Sequence, residues 1–228
     1  MKINEIFYSI QGEGKLAGVP SVFIRTTGCN LRCTWCDSPA TSWRPVGESM
    51  SVDAIVERLS DYSSTHVVLT GGEPMIADGV EDLTRRIKEG GYHLTIETAG
   101  TVWKDVVCDL ASVSPKTSNS TPWTREDGKR AEAHERQRLN FDVIRRFLQV
   151  PDYQLKFVVD SPEDLAEIDD LLARLDQIES GNVLLMPQGV TQEELNTKGR
   201  WVAELCKQRG FRFCPRLHIA LYGHTPGT

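Results

Sequence analysis

The sequence has no apolar run approaching the roughly 18 residues of a membrane span, and this argues against a membrane protein. Basic residues are not in excess: 26 Lys and Arg stand against 32 Asp and Glu, a formal net charge of −6. That balance speaks against a nucleic-acid binder, which normally carries a basic stripe. The opening residues, "MKINEIFYSIQGEG", hold neither a long apolar stretch nor a small-residue cleavage site, so no signal peptide is expected. A cytoplasmic, reducing location follows, where clustered cysteines more often bind metal or do chemistry than form disulfides. There is also no internal repeat. What remains is an ordinary globular composition, 39% hydrophobic and 25% charged over 228 residues, enough for one sizeable domain.

The cysteines are unevenly placed. "GCNLRCTWCDS" (28–38) sets Cys29, Cys33 and Cys36 at C-x3-C-x2-C. Cys108, Cys206 and Cys214 sit apart in apolar or mixed settings, without Cys or His at ligand spacing, and read as small buried hydrophobes. Three thiols are too many for one disulfide and too few for a usual structural zinc site. A [4Fe–4S] cubane held by three thiolates leaves one iron open to another ligand. S-adenosylmethionine can fill that place through its amino and carboxylate groups. Reductive cleavage of its sulfur–carbon bond yields a radical that side chains alone cannot make. On the loop alone, zinc with a fourth ligand such as His66 or Cys108 stays open.

Strand and helix patterns alternate along the chain. Strands are expected at 21–27, 66–70, 92–98, just before 113–116, and at 155–160 and 182–187, with helices at 51–59 and 80–87. Ser51 is a candidate N-cap, Ser161-Pro162-Glu163-Asp164 a candidate capping box, and Thr191 with Glu194 another. Such alternation predicts parallel strands with crossover helices and ligands at the strands' carboxyl ends. One domain spanning 1–228 is expected. The polar stretch 117–140 breaks the rhythm and reads as a partly mobile surface excursion.

The cysteine loop, with Trp35 as the aromatic before the last cysteine, and "TGGEP" (70–74) resemble the radical S-adenosylmethionine superfamily. Gly71 and Gly72 would let the backbone approach a ligand and offer it free backbone groups. Further stretches, "FYSIQGEG" (7–14), "ETAG" (97–100), "SPK" (114–116) and "LHIALYG" (217–223), are similar to the 7-carboxy-7-deazaguanine synthases. The resemblance implies an α/β fold, an incomplete (β/α) barrel, and rearrangement of 6-carboxytetrahydropterin to 7-carboxy-7-deazaguanine with loss of ammonia. It implies a [4Fe–4S] cluster on Cys29, Cys33 and Cys36, S-adenosylmethionine, and Mg2+ with Ser38 as a ligand. It places Gln11, Gly12, Glu13, Arg25, Thr70 and His218 against the pterin. Trp35, Gly72, Glu97, Ser114, Pro115, Lys116 and "MPQG" (Met186, Pro187, Gln188, Gly189) fall to S-adenosylmethionine. An external electron donor such as a flavodoxin and a homodimer are implied too. Arg25, inside the apolar "VFIRTT", needs a partner in any case, because an unpaired buried charge is costly. The rivals are a glycyl-radical-enzyme activase, which would act on a protein, and a non-catalytic zinc module.

Overall fold

The computed structural model describes residues 1–228. In chain order the elements are β1 (Lys2–Ile10), β2 (Pro20–Thr26), β3 (Glu48–Ser49), α1 (Val52–Leu59), β4 (His66–Gly71), α2 (Val80–Glu89), β5 (His93–Thr98) and β6 (Leu110–Val113). They continue with α3 (Ala131–Gln137), α4 (Phe141–Phe147), β7 (Asp152–Val159), α5 (Asp164–Leu175), β8 (Val183–Pro187), α6 (Gln192–Arg209), β9 (Arg212–Phe213) and α7 (Leu217–Tyr222).

All nine strands form one sheet in the order β3-β1-β2-β4-β5-β6-β7-β8-β9, open between β3 and β9, as an incomplete barrel requires. From β2 to β9 every pairing is parallel. The expectation of parallel strands fails at the amino-terminal edge, where β1 runs antiparallel to both β2 and β3. The short link between β1 and β2 leaves no room for a crossover helix, which parallel pairing would demand.

Period-two alternation divides each strand between two environments. Ile24, Leu69, Ile96, Ala111, Leu155 and Leu185 point to one face and join the main core, with Ile55 of α1, Leu83 of α2, Ile144 of α4 and Ile168 of α5. Their neighbours point to the other face and are largely polar: Arg25 is in register with Thr70, Glu97 with Ser112, and Ser112 with Gln154. Burying one face and keeping the other polar sets the strand register and leaves a polar row for a site.

Helix ends follow the chemistry of their sequences. Ser51 accepts the Ala54 amide, and Thr191 with Glu194 forms a complete capping box. The box expected at Ser161 is only half made: α5 starts at Asp164, whose carboxylate accepts the Ser161 amide while the Ser161 side chain caps no amide of the helix. Asp164 also takes bonds from the Asp160 amide and the Asn119 side chain, which hold the chain in a turn before the helix begins.

Candidate active site

The carboxyl ends of the parallel strands surround a cavity of about 640 Å³, within the size range of small-molecule sites. β2 delivers the chain into the cysteine loop, and Cys29, Cys33 and Cys36 all reach the cavity wall. Burial pushes the Cys29 thiol up to about 11, the Cys33 thiol up to about 12, and the Cys36 thiol upward as well. Such thiols stay protonated until a cationic group replaces their protons, which is how metal ligation proceeds. No three His, Cys, Asp or Glu side chains converge tightly enough to hold a single ion. A cubane, which takes each thiolate on a different iron, fits three thiols set around a cavity better than zinc does. Cys108 and Cys206 lie in the main core and Cys214 in a small cluster with Val158, Leu184 and Met186. None of these three lines the cavity. His66 opens β4 at the end away from the cysteine loop.

The two glycines of "TGGEP" also serve the packing of two chain segments. A Cβ on Gly72 would stand 2.0 Å from the Gly28 carbonyl oxygen, and one on Gly71 2.2 Å from that of Thr26. The Gly72 amide donates to Thr26 O and the Glu73 amide to Gly28 O. The glycines thus let the cysteine loop lie against the end of β4. Gly72 still borders the cavity. Glu73 is fully buried and accepts from Thr98 Oγ1 (2.7 Å), the Ala99 amide (2.8 Å) and the Met75 amide (3.1 Å). It fastens the end of β4 to the end of β5.

The charged residues of the cavity form a connected network. Lys156, from the inward face of β7, donates to one oxygen of Glu13, and Arg216 Nε donates to the other at 3.0 Å. Arg216 also binds the Asp37 carboxylate and the Gly189 carbonyl oxygen (2.6 Å). Burial works to raise the Glu13 pKa, but Lys156, Arg216 and His218 outweigh it and hold the carboxyl well below its ordinary range. Asp37 is lowered in the same way, with burial opposed by Arg216. Beside this network Gln11 donates to one oxygen of Glu97 (3.1 Å) and Thr70 to the other (2.8 Å). His218 packs over Gly12, where any Cβ would meet its ring.

Arg25 has the partner its setting demanded: its Nε donates to Glu5 at 2.7 Å, and its Nη1 lies 3.5 Å from Ser38 Oγ. Ser38 Oγ donates to Asp37 Oδ1 at 3.3 Å. Lys116 has no carboxylate partner; its ammonium donates to the backbone oxygen and hydroxyl of Ser114, and burial lowers its pKa. It sits 6.0 Å from the centre of the Trp35 ring.

The cavity thus gathers Gln11, Gly12, Glu13, Arg25, Trp35, Ser38, Thr70, Gly72, Glu97, Ser114, Lys116, Met186 and His218 with the three cysteines. Pro115, Pro187, Gln188 and Gly189 are not on its wall. The Gln188 side chain is engaged by Lys198 and the Gly189 carbonyl by Arg216, so both face other protein groups. Motif reasoning missed Glu5, Asp37, Lys156 and Arg216; the tail "HTPGT" (224–228), where the family resemblance implies that the chain end can close over the substrate, also lines the cavity. Lys156 was within reach: a lone charge inside the apolar "LKFVVD" signals a partner by the argument applied to Arg25. The remainder depended on contacts between distant segments.

An open, mostly parallel sheet with a three-cysteine loop after its first parallel strand is the architecture of a radical SAM protein. The profile of the Radical SAM superfamily matches residues 23–147. A 7-carboxy-7-deazaguanine synthase of Halobacterium salinarum is 47% identical over 100% of this chain and 93% of its own length. One of Rhodopirellula baltica is 43% identical over 99% of this chain and 88% of its own. The crystal structure of QueE from Escherichia coli superposes with a TM-score of 0.70 at 27% identity, covering 95% of this chain and 94% of that one. The chain belongs to the 7-carboxy-7-deazaguanine synthase family of radical SAM enzymes.

Proposed function

We propose that this chain converts 6-carboxy-5,6,7,8-tetrahydropterin to 7-carboxy-7-deazaguanine by radical ring contraction with loss of ammonia, within queuosine and 7-deazaguanine biosynthesis. The observation that carries the reading is that three thiols, Glu13 and a polar row containing Arg25, Thr70 and Glu97 face one cavity. Held by Cys29, Cys33 and Cys36, a [4Fe–4S] cluster with S-adenosylmethionine supplies a hydrogen-abstracting radical to that space.

The chain's own residues bind and orient. Glu13 stays ionised, so the N–H groups of an aminopyrimidine edge find an acceptor there, with Gln11, Gly12, Thr70 and His218 around the ring. Arg25, pinned by Glu5 through Nε, directs its remaining N–H groups toward a substrate carboxylate. Lys116, a cation without a carboxylate partner, suits the carboxylate of S-adenosylmethionine, with Ser114 and Trp35 beside it, and Glu97, Gly72 and Met186 line the same cavity. Ser38 and the substrate carboxylate together would hold Mg2+, an ion that prefers oxygen and keeps several waters. We further propose an external reductant such as a flavodoxin, a homodimer and a cytoplasmic setting; no helix is long and apolar enough to cross a membrane.

The test is anaerobic reconstitution with iron and sulfide. Incubation with 6-carboxytetrahydropterin, S-adenosylmethionine, a reductant and Mg2+ should then give a product with the mass and absorbance of the deazaguanine. A cluster-loaded protein that cleaves S-adenosylmethionine yet leaves the pterin intact would sink the substrate assignment.

A further inference from the structure

Residues 117–140 carry an inner face that the expectation of a surface excursion did not include. Thr117, Ser120, Thr121, Ala131 and His134 are buried. Several bonds run from this face to the middle of the cysteine loop. The Arg32 amide donates to His134 Nδ1 at 3.1 Å, and the Thr34 amide donates to Ser120 O at 2.7 Å. Arg125 Nη1 donates to Thr34 O at 2.8 Å, and Trp35 Nε1 donates to Asn119 O at 3.1 Å. The Arg125 guanidinium also stacks 4.0 Å over the ring of Trp43, whose Nε1 donates to Cys33 O at 2.9 Å. Both amides flanking Cys33 are thus claimed by one segment.

We propose that this segment is a clasp that presets the cysteine loop before any cluster is present, with His134 as its positioning residue. Because Nδ1 accepts from Arg32, the neutral ring carries its proton on Nε2 and donates it to Ser120 Oγ, 2.9 Å away. Ser120 Oγ in turn donates to Thr117 O at 2.6 Å. Thr117 directly follows Lys116 at the end of "SPK". A directed chain of hydrogen bonds therefore runs from the backbone beside Cys33 to the loop after β6. It has two effects. It fixes the backbone on both sides of Cys33, so the thiol is aimed without further ordering when the cluster arrives. It also occupies two amides that would otherwise be free to bond cluster sulfur, and such bonds tune the reduction potential.

The proposal rests on the cysteine loop being the cluster loop, so the experiment has a metal-free arm and a loaded arm. His134→Ala, His134→Gln and His134→Asn are compared with wild type, each checked by circular dichroism and melting. Asn keeps an acceptor near the Nδ1 position, whereas Gln keeps only a group at the Nε2 position. In metal-free protein, hydrogen exchange of the Arg32 amide should quicken about tenfold in the Ala and Gln variants, the worth of one net hydrogen bond. The Asn variant should stay near wild type. In reconstituted protein, iron release to a chelator should follow the same order. Wild-type exchange and iron release in a folded His134→Ala or His134→Gln variant overturns the proposal, as does an Asn variant no better than Ala. If wild type assembles no cluster, the loaded arm strikes the functional reading, while the metal-free exchange still decides the clasp.

Discussion

Lys156 and Glu13 meet as a buried ion pair in the cavity although 143 residues separate them in the chain. The pair joins the loop after β1 to the centre of β7, and Arg216 closes it from the carboxyl-terminal segment. Three distant parts of the chain therefore share one carboxylate, and the ionisation of that carboxylate is set by the fold.

Lys156→Met leaves Glu13 with Arg216 as its single ion-pair partner. Loss of one charge-assisted bond to a buried group should lower stability by about 1.5–3 kcal/mol. Urea unfolding of the metal-free variant measures it. An unchanged midpoint means that the pair contributes nothing net.

Glu13→Gln and Arg25→Ala should weaken pterin binding while leaving S-adenosylmethionine binding nearly intact. Removing one charge-assisted contact in a closed site costs about 1.5–3 kcal/mol, a large drop in affinity by titration. Equal loss for both ligands would mean that these residues support the fold and not the pterin.

Any one of Cys29→Ala, Cys33→Ala or Cys36→Ala should strip most iron from the reconstituted protein. Cys108→Ala, Cys206→Ala and Cys214→Ala should keep it, since these thiols lie away from the cavity wall. Gly72→Ala belongs with the first group. Its Cβ would collide with the Gly28 carbonyl, and relieving such an overlap typically costs about 1–3 kcal/mol. The relief moves the cysteine loop, so iron content should fall along with the melting temperature. Wild-type iron in Gly72→Ala would show that the loop tolerates the shift.

Ser38→Ala should retain the cluster and S-adenosylmethionine binding but lose turnover and most of the stimulation by Mg2+, while Ser38→Thr keeps the oxygen and stays active. Wild-type turnover and an unchanged Mg2+ response in Ser38→Ala would remove Ser38 as the metal ligand.

His134 also implies a pH dependence. Burial lowers its pKa to about 4 from the ordinary 6.5, with Glu135 opposing the shift and Arg138 and Lys116 reinforcing it. The unfolded chain takes up the proton as pH falls through 6.5, the folded protein only near 4. The stability this ring contributes is therefore complete above pH 6.5 and is lost progressively between 6.5 and 4. Melting of metal-free protein should fall more steeply over that window in wild type than in His134→Asn. Parallel slopes would mean that His134 does not titrate this way.

Local patterns alone were enough for the six strands β2 and β4 to β8, though not for β1, β3 and β9; they also gave most of the expected helix caps, singled out the three clustered cysteines and showed why Arg25 needs a partner. Hydrophobic period, capping chemistry and motif spacing are short-range properties, and they act within a few residues. Ser161 is instructive in the other direction: its capping box was locally sound, yet Asp164 was also bonded by Asn119, and only half of the box formed. The packing role of Gly71 and Gly72 had no local signal because the atoms they spare, Thr26 O and Gly28 O, belong to another strand and its loop. The 117–140 stretch looked solvent-facing because it is polar, but polar groups can be buried when each finds a partner, and His134 and Ser120 find theirs in the cysteine loop and at Thr117. The sequence by itself determined the central parallel strands and the motif residues that point to the chemistry. Only the tertiary structure decided which carboxylate meets which cation and what holds the cysteine loop, because those bonds join segments whose separation along the chain carries no local signal.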